Sequence, residues 1–136
     1  VEQGVLDGTI DCIVTDHAPH SAGEKANFET APNGVVGLET SLAATLTALY
    51  HTGKLSLQDI VRLMSKAPAK LLKIEGGVLK EGATADLALV DLDELWTVEP
   101  EKLHSKSKNT VFKGKSLRGK VKITLLDGNI VYSDNE

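Results

Sequence analysis

One segment, residues 13–20, constrains the fold and the chemistry of this 136-residue chain more than any other. The run that leads into it, residues 9–15, is rich in β-branched side chains and is typical of a buried strand. Asp16 and two histidines follow, and Pro19 cannot continue a strand ladder. The sequence therefore predicts a strand that ends near Asp16, with an acid and two imidazoles at its carboxyl end, where α/β barrels and open α/β sheets hold their active sites.

Several chemical roles are open to this cluster. Asp16 can serve as a metal ligand, as a general base, or as both. His17 and His20 can bind a metal or donate to an anionic substrate. A turn in which Asp16 accepts backbone N–H groups and the histidines are hydrated accounts for the same residues without any function. A self-contained metal site made of Asp16, His17 and His20 is a further alternative.

A longer pattern favours one of these roles. Residues 16–20 (Asp-His-Ala-Pro-His) and residues 31–40 together resemble the final barrel strand and the following loop of the dihydroorotases, a family of metal-dependent cyclic amidohydrolases. The similarity covers essentially the whole chain and continues through residues 65–69, 82–87, 106–110 and 127–131. The later motifs are shared with allantoinases and hydantoinases, whereas the first motif is more specific to dihydroorotases.

The resemblance implies an α/β fold in two parts. Residues 1–76 would be the C-terminal part of a (β/α)8 TIM barrel, comprising its last strand and the following helices, and residues 77–136 would be part of a small β-sandwich domain. A complete barrel of this type needs about 250 residues. We therefore expect the chain to be the C-terminal fragment of a longer enzyme, and its first residue, Val1, agrees with that expectation.

The resemblance also implies a role for each residue of the site. Asp16 would bind one zinc ion of a binuclear site and carry the proton between the attacking water and the substrate nitrogen. His20 would bind the carboxylate of the substrate, and Asn33 and Gly34 would contact the substrate ring through their backbone. The family usually has a bulky apolar residue before this glycine, so Asn33 is a departure from its pattern. His17 is expected to pack or to bond to backbone groups and not to bind metal.

The number of metal ligands limits what the chain can do alone. A catalytic zinc site typically takes three protein ligands, and the resemblance supplies only Asp16, because the family's other histidines and its bridging lysine have no counterpart here. We expect the isolated chain to be inactive. The intact protein would reversibly cyclise N-carbamoyl-L-aspartate to L-dihydroorotate in pyrimidine biosynthesis. The alternatives are another cyclic amidohydrolase, allantoinase-like or hydantoinase-like, and a non-catalytic dihydroorotase-like partner of aspartate carbamoyltransferase.

Composition favours an enzyme that acts on small molecules over a nucleic-acid-binding or membrane protein. The net charge is −4 and aromatic residues make up 4% of the chain, which disfavours a nucleic-acid-binding surface. No apolar run is long enough to span a membrane. The single cysteine, Cys12, indicates a reducing cytoplasm. We expect three kinds of partner: the small-molecule substrate, the missing N-terminal part of the protein, and either a second copy in a homodimer or aspartate carbamoyltransferase.

The middle of the chain predicts three helices. A leucine stripe at helical spacing, ended by Gly53, predicts the first helix and comprises Leu38, Leu42, Leu46 and Leu49. Ser56 is placed to cap a second helix, whose predicted buried face comprises Leu57, Ile60, Val61 and Met64. Pro68 predicts the start of a third, short helix with three apolar residues packed inward, namely Leu71, Leu72 and Ile74.

Beyond Gly77 the pattern changes to that of strands. Residues 86–91 and 121–125 are typical of strands, and a tight turn at residues 127–129 predicts a hairpin with a strand at 130–132. The polar stretch between them, residues 95–115, is predicted to be a loop anchored by its tryptophan.

Overall fold

The computed structural model describes residues 1–134 of the chain. Its helical part begins with α1 (Glu2–Leu6) and continues with α2 (Ser41–Thr45), which passes directly into a π-helical turn (Leu46–Tyr50). A second continuous helical stretch comprises α3 (Leu57–Val61), a π-helical turn (Arg62–Lys66) and α4 (Ala67–Leu72). Among the described residues no helix has the length and apolar character needed to cross a lipid bilayer.

A three-stranded antiparallel sheet follows the helices in the chain. Its strands are β1 (Leu87–Thr97), β2 (Ser116–Leu126) and β3 (Asn129–Ser133), in the order β1-β2-β3. A 3₁₀ turn (Pro100–Lys102) lies between the first two strands. The predicted hairpin is confirmed, because residues 127 and 128 connect β2 and β3 with φ angles of 49° and 76°. Positive φ at both central residues is the signature of a type I′ turn, which matches the twist of the flanking strands.

The strand predicted over residues 9–15 is wrong for the described part of the chain. These residues form no strand, and their backbone is held instead by single bonds such as that from the N–H of Ile13 to the carbonyl of Leu63, over 2.9 Å. A parallel strand needs a hydrogen-bonding neighbour along its length. Within residues 1–134 the nearest strand-like pairing is the single bridge between His17 and Val35, which lies beyond the apolar run, so the run has no ladder to join.

The leucine stripe does form the first helix, with a shifted beginning. Leu46 and Leu49 are buried and Leu42 is half-buried, whereas Leu38 lies before the helix and is exposed. Leu46 is fully buried and packs so closely on the sheet that a Cβ at Gly119 would lie 2.5 Å from its Cδ1. The helix therefore forms the main core of the molecule, whose buried members are Val5, Leu46, Leu49, Ile60 and Leu63.

Ser56 caps α3 as predicted. The N–H of Asp59 donates to the Ser56 hydroxyl over 3.2 Å, and the Asp59 carboxylate accepts from the Ser56 N–H over 3.1 Å, which completes a capping box. The Ser56 hydroxyl and N–H also lower the pKa of Asp59. The buried face differs from the prediction, because Leu63 is buried while Leu57 and Val61 are exposed.

The predicted third helix is not a separate element. Pro68 lies near the start of α4, which continues α3 without a break, and the π-helical turn directly precedes it. Proline lacks an N–H and disturbs regular helical bonding, and π-helical turns are one way in which helices absorb such a disturbance. The inward packing predicted for the end of this helix is wrong in the described chain, since no described element covers these exposed residues: Leu71, Leu72 and Ile74.

Strand β1 is longer than predicted and includes residues 95–97 of the predicted loop. Trp96 therefore lies in a strand, where its indole N–H donates to the carbonyl of Gly119 over 3.0 Å. The ring packs against a second small core that contains Val98 and Leu117. Helix and sheet are also joined by polar bonds, since His51 donates from Nε2 to the carbonyl of Leu92 over 2.8 Å. The proposed boundary between residues 76 and 77 stays a prediction.

Candidate substrate and metal site

Two extended segments lie side by side and form the candidate site. Residues 15–20 and 33–37 run parallel and are joined by a bridge between His17 and Val35. The N–H of Ala18 donates to the carbonyl of Val35 over 3.0 Å. This pairing brings the residues predicted to form the site onto two neighbouring segments: Asp16 and His20 on one, Asn33 and Gly34 on the other.

Asp16 has an unusual backbone and an unpaired carboxylate. Its φ of 43° lies in the left-handed region, which aspartate tolerates better than most residues. The side chain is exposed, and within residues 1–134 no group donates a hydrogen bond to it or forms an ion pair with it. Strained backbone of this kind clusters at functional sites. The carboxylate therefore has all its lone pairs available for a metal ion or a proton.

His17 bonds to backbone, as the sequence predicts. Its Nδ1 accepts from the N–H of Gly37 over 3.1 Å, with Leu38 N at 3.4 Å. An accepting Nδ1 places the ring hydrogen of the neutral imidazole on Nε2. Neither nitrogen of that tautomer then has a free lone pair to offer to a metal. The close contact also requires glycine at position 37, since a Cβ there would lie 2.9 Å from the carbonyl oxygen of Thr15.

His20 joins the two segments at the other end of the site. Its Nε2 lies 3.0 Å from the carbonyl oxygen of Asn33, and because a carbonyl only accepts, Nε2 is the donor. Its Nδ1 lies 4.0 Å from Oε2 of Glu24, too far for a hydrogen bond but close enough for charge attraction when the ring is protonated. The Asn33 carbonyl is therefore used within the protein.

Gly34 occupies a position that no other residue fits. Its φ is 119°, and a Cβ there would lie 2.5 Å from the Cβ of Ala18 and 2.9 Å from its carbonyl oxygen. The carbonyl of Gly34 accepts from the side-chain amide of Asn109 over 3.0 Å. The Asn109 backbone carbonyl in turn accepts from the N–H of Val36 over 2.9 Å. A residue from the C-terminal part of the chain thus makes two bonds to this segment, one at Gly34 and one at Val36.

The loop between the two segments is closed on itself. Oε2 of Glu24 accepts from the N–H and the hydroxyl of Ser21, each over 2.7 Å, and these bonds lower the pKa of Glu24, with smaller contributions from His20 and Lys25. The Lys25 ammonium donates to the carbonyl of Pro32, which ties the end of the loop to its beginning. Phe28 projects from this loop and is 97% exposed.

Comparison with known proteins identifies the family. The model of the amidohydrolase family matches residues 1–131. The chain belongs to the amidohydrolase family. Two similar curated relatives are both named dihydroorotase: that of Syntrophus aciditrophicus is 48% identical over 136 residues, and that of Clostridioides difficile is 49% identical over 132 residues. These matches cover 99% and 96% of this chain but only 32% and 31% of the relatives, so the chain spans about a third of their length.

Solved amidohydrolase structures contain the same fold. An L-hydantoinase (dihydropyrimidinase) from Arthrobacter aurescens matches 98% of this chain with a TM-score of 0.90 and 34% identity, and the match covers 31% of that protein. A dihydropyrimidinase from Brevibacillus agri matches 98% of the chain with a TM-score of 0.90 and 26% identity, over 30% of its own length. The resemblance to dihydroorotases that the sequence motifs indicate is thus confirmed by the curated relatives.

Amidohydrolases of this kind are generally metal-dependent, and the donors in this chain fit part of such a site. Asp16, exposed and unpaired, fits one carboxylate ligand. Within residues 1–134 no group of three histidine, cysteine, aspartate or glutamate side chains is placed so that it could hold a metal ion. The self-contained site considered for Asp16, His17 and His20 is therefore not formed by the described residues.

Two residues that support the site were not identified from the sequence. Asn109 belongs to the shared motif at residues 106–110, but nothing near it in the sequence indicates that it contacts Gly34, 75 residues earlier. Glu39 accepts from the N–H groups of His104 and Ser105 over 2.8 and 3.0 Å, which ties the end of the candidate site to the same distant loop. A pair of polar residues far apart in sequence gives no local signal.

Proposed function

We propose that this chain contributes the proton-transferring and substrate-binding segments of a zinc-dependent dihydroorotase. The whole protein would reversibly cyclise N-carbamoyl-L-aspartate to L-dihydroorotate. The observation that carries this proposal is the sequence identity to the relatives. The two proteins named dihydroorotase are 48% and 49% identical to the chain, whereas the L-hydantoinase from Arthrobacter aurescens is 34% identical. In the whole protein residues 1–76 would complete a (β/α)8 barrel and residues 77–136 a β-sandwich.

Asp16 would act as a metal ligand and as a proton carrier. Zinc, when bound, lowers the pKa of a coordinated water and polarises the substrate carbonyl. In the hydrolytic direction Asp16 would accept the proton of the attacking water at a carboxylate oxygen and deliver it to the ring nitrogen as the amide bond breaks. The exposed and unpaired carboxylate described above supports this role, because no group of the described chain competes for either of its oxygens.

His20 would bind the carboxylate of the substrate, with residues 33 and 34 beside it. Nδ1 of His20 makes no hydrogen bond within the described residues, and in the protonated ring it would donate to an anionic ligand. A cyclic amide without a carboxylate, such as a hydantoin, would offer this nitrogen no anionic oxygen to bind. This chemistry favours dihydroorotate over the substrates of hydantoinase-like or allantoinase-like relatives.

A chimaera tests the proposal. In the dihydroorotase of Syntrophus aciditrophicus, the third that matches this chain is replaced by these 136 residues, and hydrolysis of L-dihydroorotate is measured with and without zinc. We expect zinc-dependent activity in the chimaera and none in the isolated chain. A folded chimaera that hydrolyses hydantoin or allantoin instead would favour the alternative amidohydrolases.

A folded chimaera that hydrolyses none of these compounds would contradict the proposal and favour the non-catalytic partner of aspartate carbamoyltransferase. Asp16→Asn is the matched control, because it removes the charge and keeps the shape of the side chain. A cytoplasmic location, a homodimer and an association with aspartate carbamoyltransferase stay predictions.

A further inference from the structure

The polar groups of residues 33 and 34 are not equally available to a ligand. Both carbonyl oxygens are used inside the protein, that of Asn33 by the His20 ring and that of Gly34 by the Asn109 amide. The N–H groups of Asn33 and Gly34 have no hydrogen-bond partner in the described part of the chain. The backbone at this position therefore has two free donors, whereas each of its carbonyl oxygens already accepts a hydrogen bond.

We propose that Asn109 is a positioning residue for the substrate site. Its amide holds the carbonyl of Gly34, so that both carbonyls of residues 33 and 34 are engaged within the protein and only their N–H groups are free. This segment would then take the acceptor atoms of a ligand, namely the carbonyl or carboxylate oxygens of an acidic cyclic imide. This inference rests on the proposed function for the identity of the ligand. The bonding pattern itself does not depend on it.

Geometry shows why Asn109 is suited to this task. Its side-chain amide donates to the carbonyl of Gly34 over 3.0 Å, while its backbone carbonyl accepts from the N–H of Val36 over 2.9 Å. Residues 15–20 pair with one side of residues 33–37, through the bond from Ala18 to Val35. The two Asn109 bonds lie on the opposite side of the same segment. Asn109 is half-buried, so water competes less for these bonds than at an exposed position.

The alternative is that Asn109 only stabilises the fold. Without its amide, the carbonyl of Gly34 would be free to turn toward the ligand, where it would repel a carbonyl or carboxylate oxygen. A fold-stabilising residue would change the unfolding free energy but not the binding of substrate by folded molecules. Since residues 33 and 34 would touch the substrate away from the bond that breaks, loss of Asn109 is expected to raise KM and to leave kcat nearly unchanged.

The first test needs no ligand and uses the 136-residue chain. Amide hydrogen exchange is measured by NMR in the native chain, Asn109→Ala, Asn109→Asp and the control Asn129→Ala, whose side chain bonds only within the β2–β3 turn. We expect exchange at Ala18 and Val36 to be about tenfold faster in both Asn109 variants, the effect of losing one hydrogen bond, and unchanged in the control. Asn109→Asp keeps the size of the side chain but cannot donate to Gly34, so it tests the bond even if the alanine variant unfolds.

The second test uses the active chimaera with the same variants. We expect the Asn109 variants to raise KM for L-dihydroorotate about tenfold and to change kcat less than twofold. Equal kinetics in the Asn109 variants and in Asn129→Ala, or a fall in kcat at constant KM, would overturn the inference, as would unchanged exchange at Val36. A native chimaera without activity on any amide, together with the expected exchange pattern, would instead mark a failure of the proposed function.

Discussion

Nδ1 of His17 accepts a hydrogen bond from the N–H of Gly37 over 3.1 Å, and this bond joins the two segments of the candidate site. It lies one residue beyond Asp16 and three residues beyond Gly34 along their respective segments. The imidazole thus acts as a fixed spacer between the proposed proton carrier and the proposed substrate-binding backbone. The position of one segment relative to the other depends on a ring that itself need not touch metal or substrate.

Replacing His17 should therefore weaken the fold without removing a metal ligand. We expect His17→Ala to lower the unfolding free energy by about 1 kcal/mol, because the half-buried N–H of Gly37 is left without its acceptor. His17→Asn should cost less, since its amide oxygen can accept the same N–H. Urea unfolding of the chain measures the difference, and equal losses in the two variants would show that the bond to Gly37 contributes nothing.

Gly34 is expected to be the least replaceable glycine of the site. Gly34→Ala adds a Cβ that would lie 2.5 Å from the Cβ of Ala18 at a φ of 119°, and we expect a loss of about 2–3 kcal/mol of unfolding free energy. Gly23 is the matched control, because a Cβ there meets nothing within 4 Å and its φ is ordinary. Thermal unfolding of both alanine variants tests this, and similar midpoints would contradict it.

Lys73 ends α4 in the left-handed region, with a φ of 55°. A glycine adopts this conformation without strain and is the usual residue at such a helix end. We expect Lys73→Gly to raise the unfolding free energy by up to about 1 kcal/mol. Lys70→Gly, inside the same helix, should lower it by about 1 kcal/mol. Chemical denaturation of the two variants distinguishes the local effect from a general effect of removing a lysine.

Features that depend on neighbouring residues could be predicted from the sequence. The capping box of Ser56 and Asp59 and the type I′ turn at residues 127–128 are set by side chains and φ preferences within four residues. Such local rules hold whatever the rest of the protein does.

Features that depend on distant partners could not be predicted. Residues 9–15 do not form the expected strand, because a parallel strand is stable only beside hydrogen-bonding neighbours. The described chain supplies one isolated bridge nearby, between His17 and Val35. Leu71 and Leu72 were predicted to be buried but are exposed for the same reason, since no described element covers them. The contact of Asn109 with Gly34 crosses 75 residues, and periodicity carries no information at that range.

Two lysines and two acids form a charge network whose effect on stability should depend on pH. Lys120 and Lys122 each lie within 3.3 Å of both Glu94 and Asp134, which joins β1, β2 and the end of the described chain. The lysine ammonium groups lower the pKa of Asp134 and of Glu94 from their usual values of 3.8 and 4.5. A carboxyl group whose pKa is lower in the folded state stabilises that state at pH values above its pKa in the unfolded chain. This stabilisation is lost as the pH falls through the pKa of the folded state.

We therefore expect the unfolding free energy to be steady near neutral pH and to decrease from about pH 5 downward, where the unfolded carboxyl groups begin to take up protons. Asp134→Asn should reduce this decrease, whereas Glu101→Gln, in the 3₁₀ turn, should leave it in place. Urea unfolding between pH 3 and pH 7 measures the slope. A slope in Asp134→Asn equal to that of the native chain would show that the network does not contribute.

Asp16 combines a strained backbone with a free carboxylate, and these two properties can be separated by mutation. Asn also tolerates a φ of 43°, so Asp16→Asn should fold as well as the native chain while losing the proton-accepting group. In the active chimaera we expect this variant to lower kcat for L-dihydroorotate by about 1000-fold or more. Loss of an acid–base group alone costs about 100-fold to 10,000-fold, and Asp16 is also proposed to bind metal. Asp11→Asn, earlier on the same run, serves as the control for charge. A chimaera that retains activity with Asn at position 16 would exclude Asp16 as the proton carrier and leave it at most a surface residue of the site.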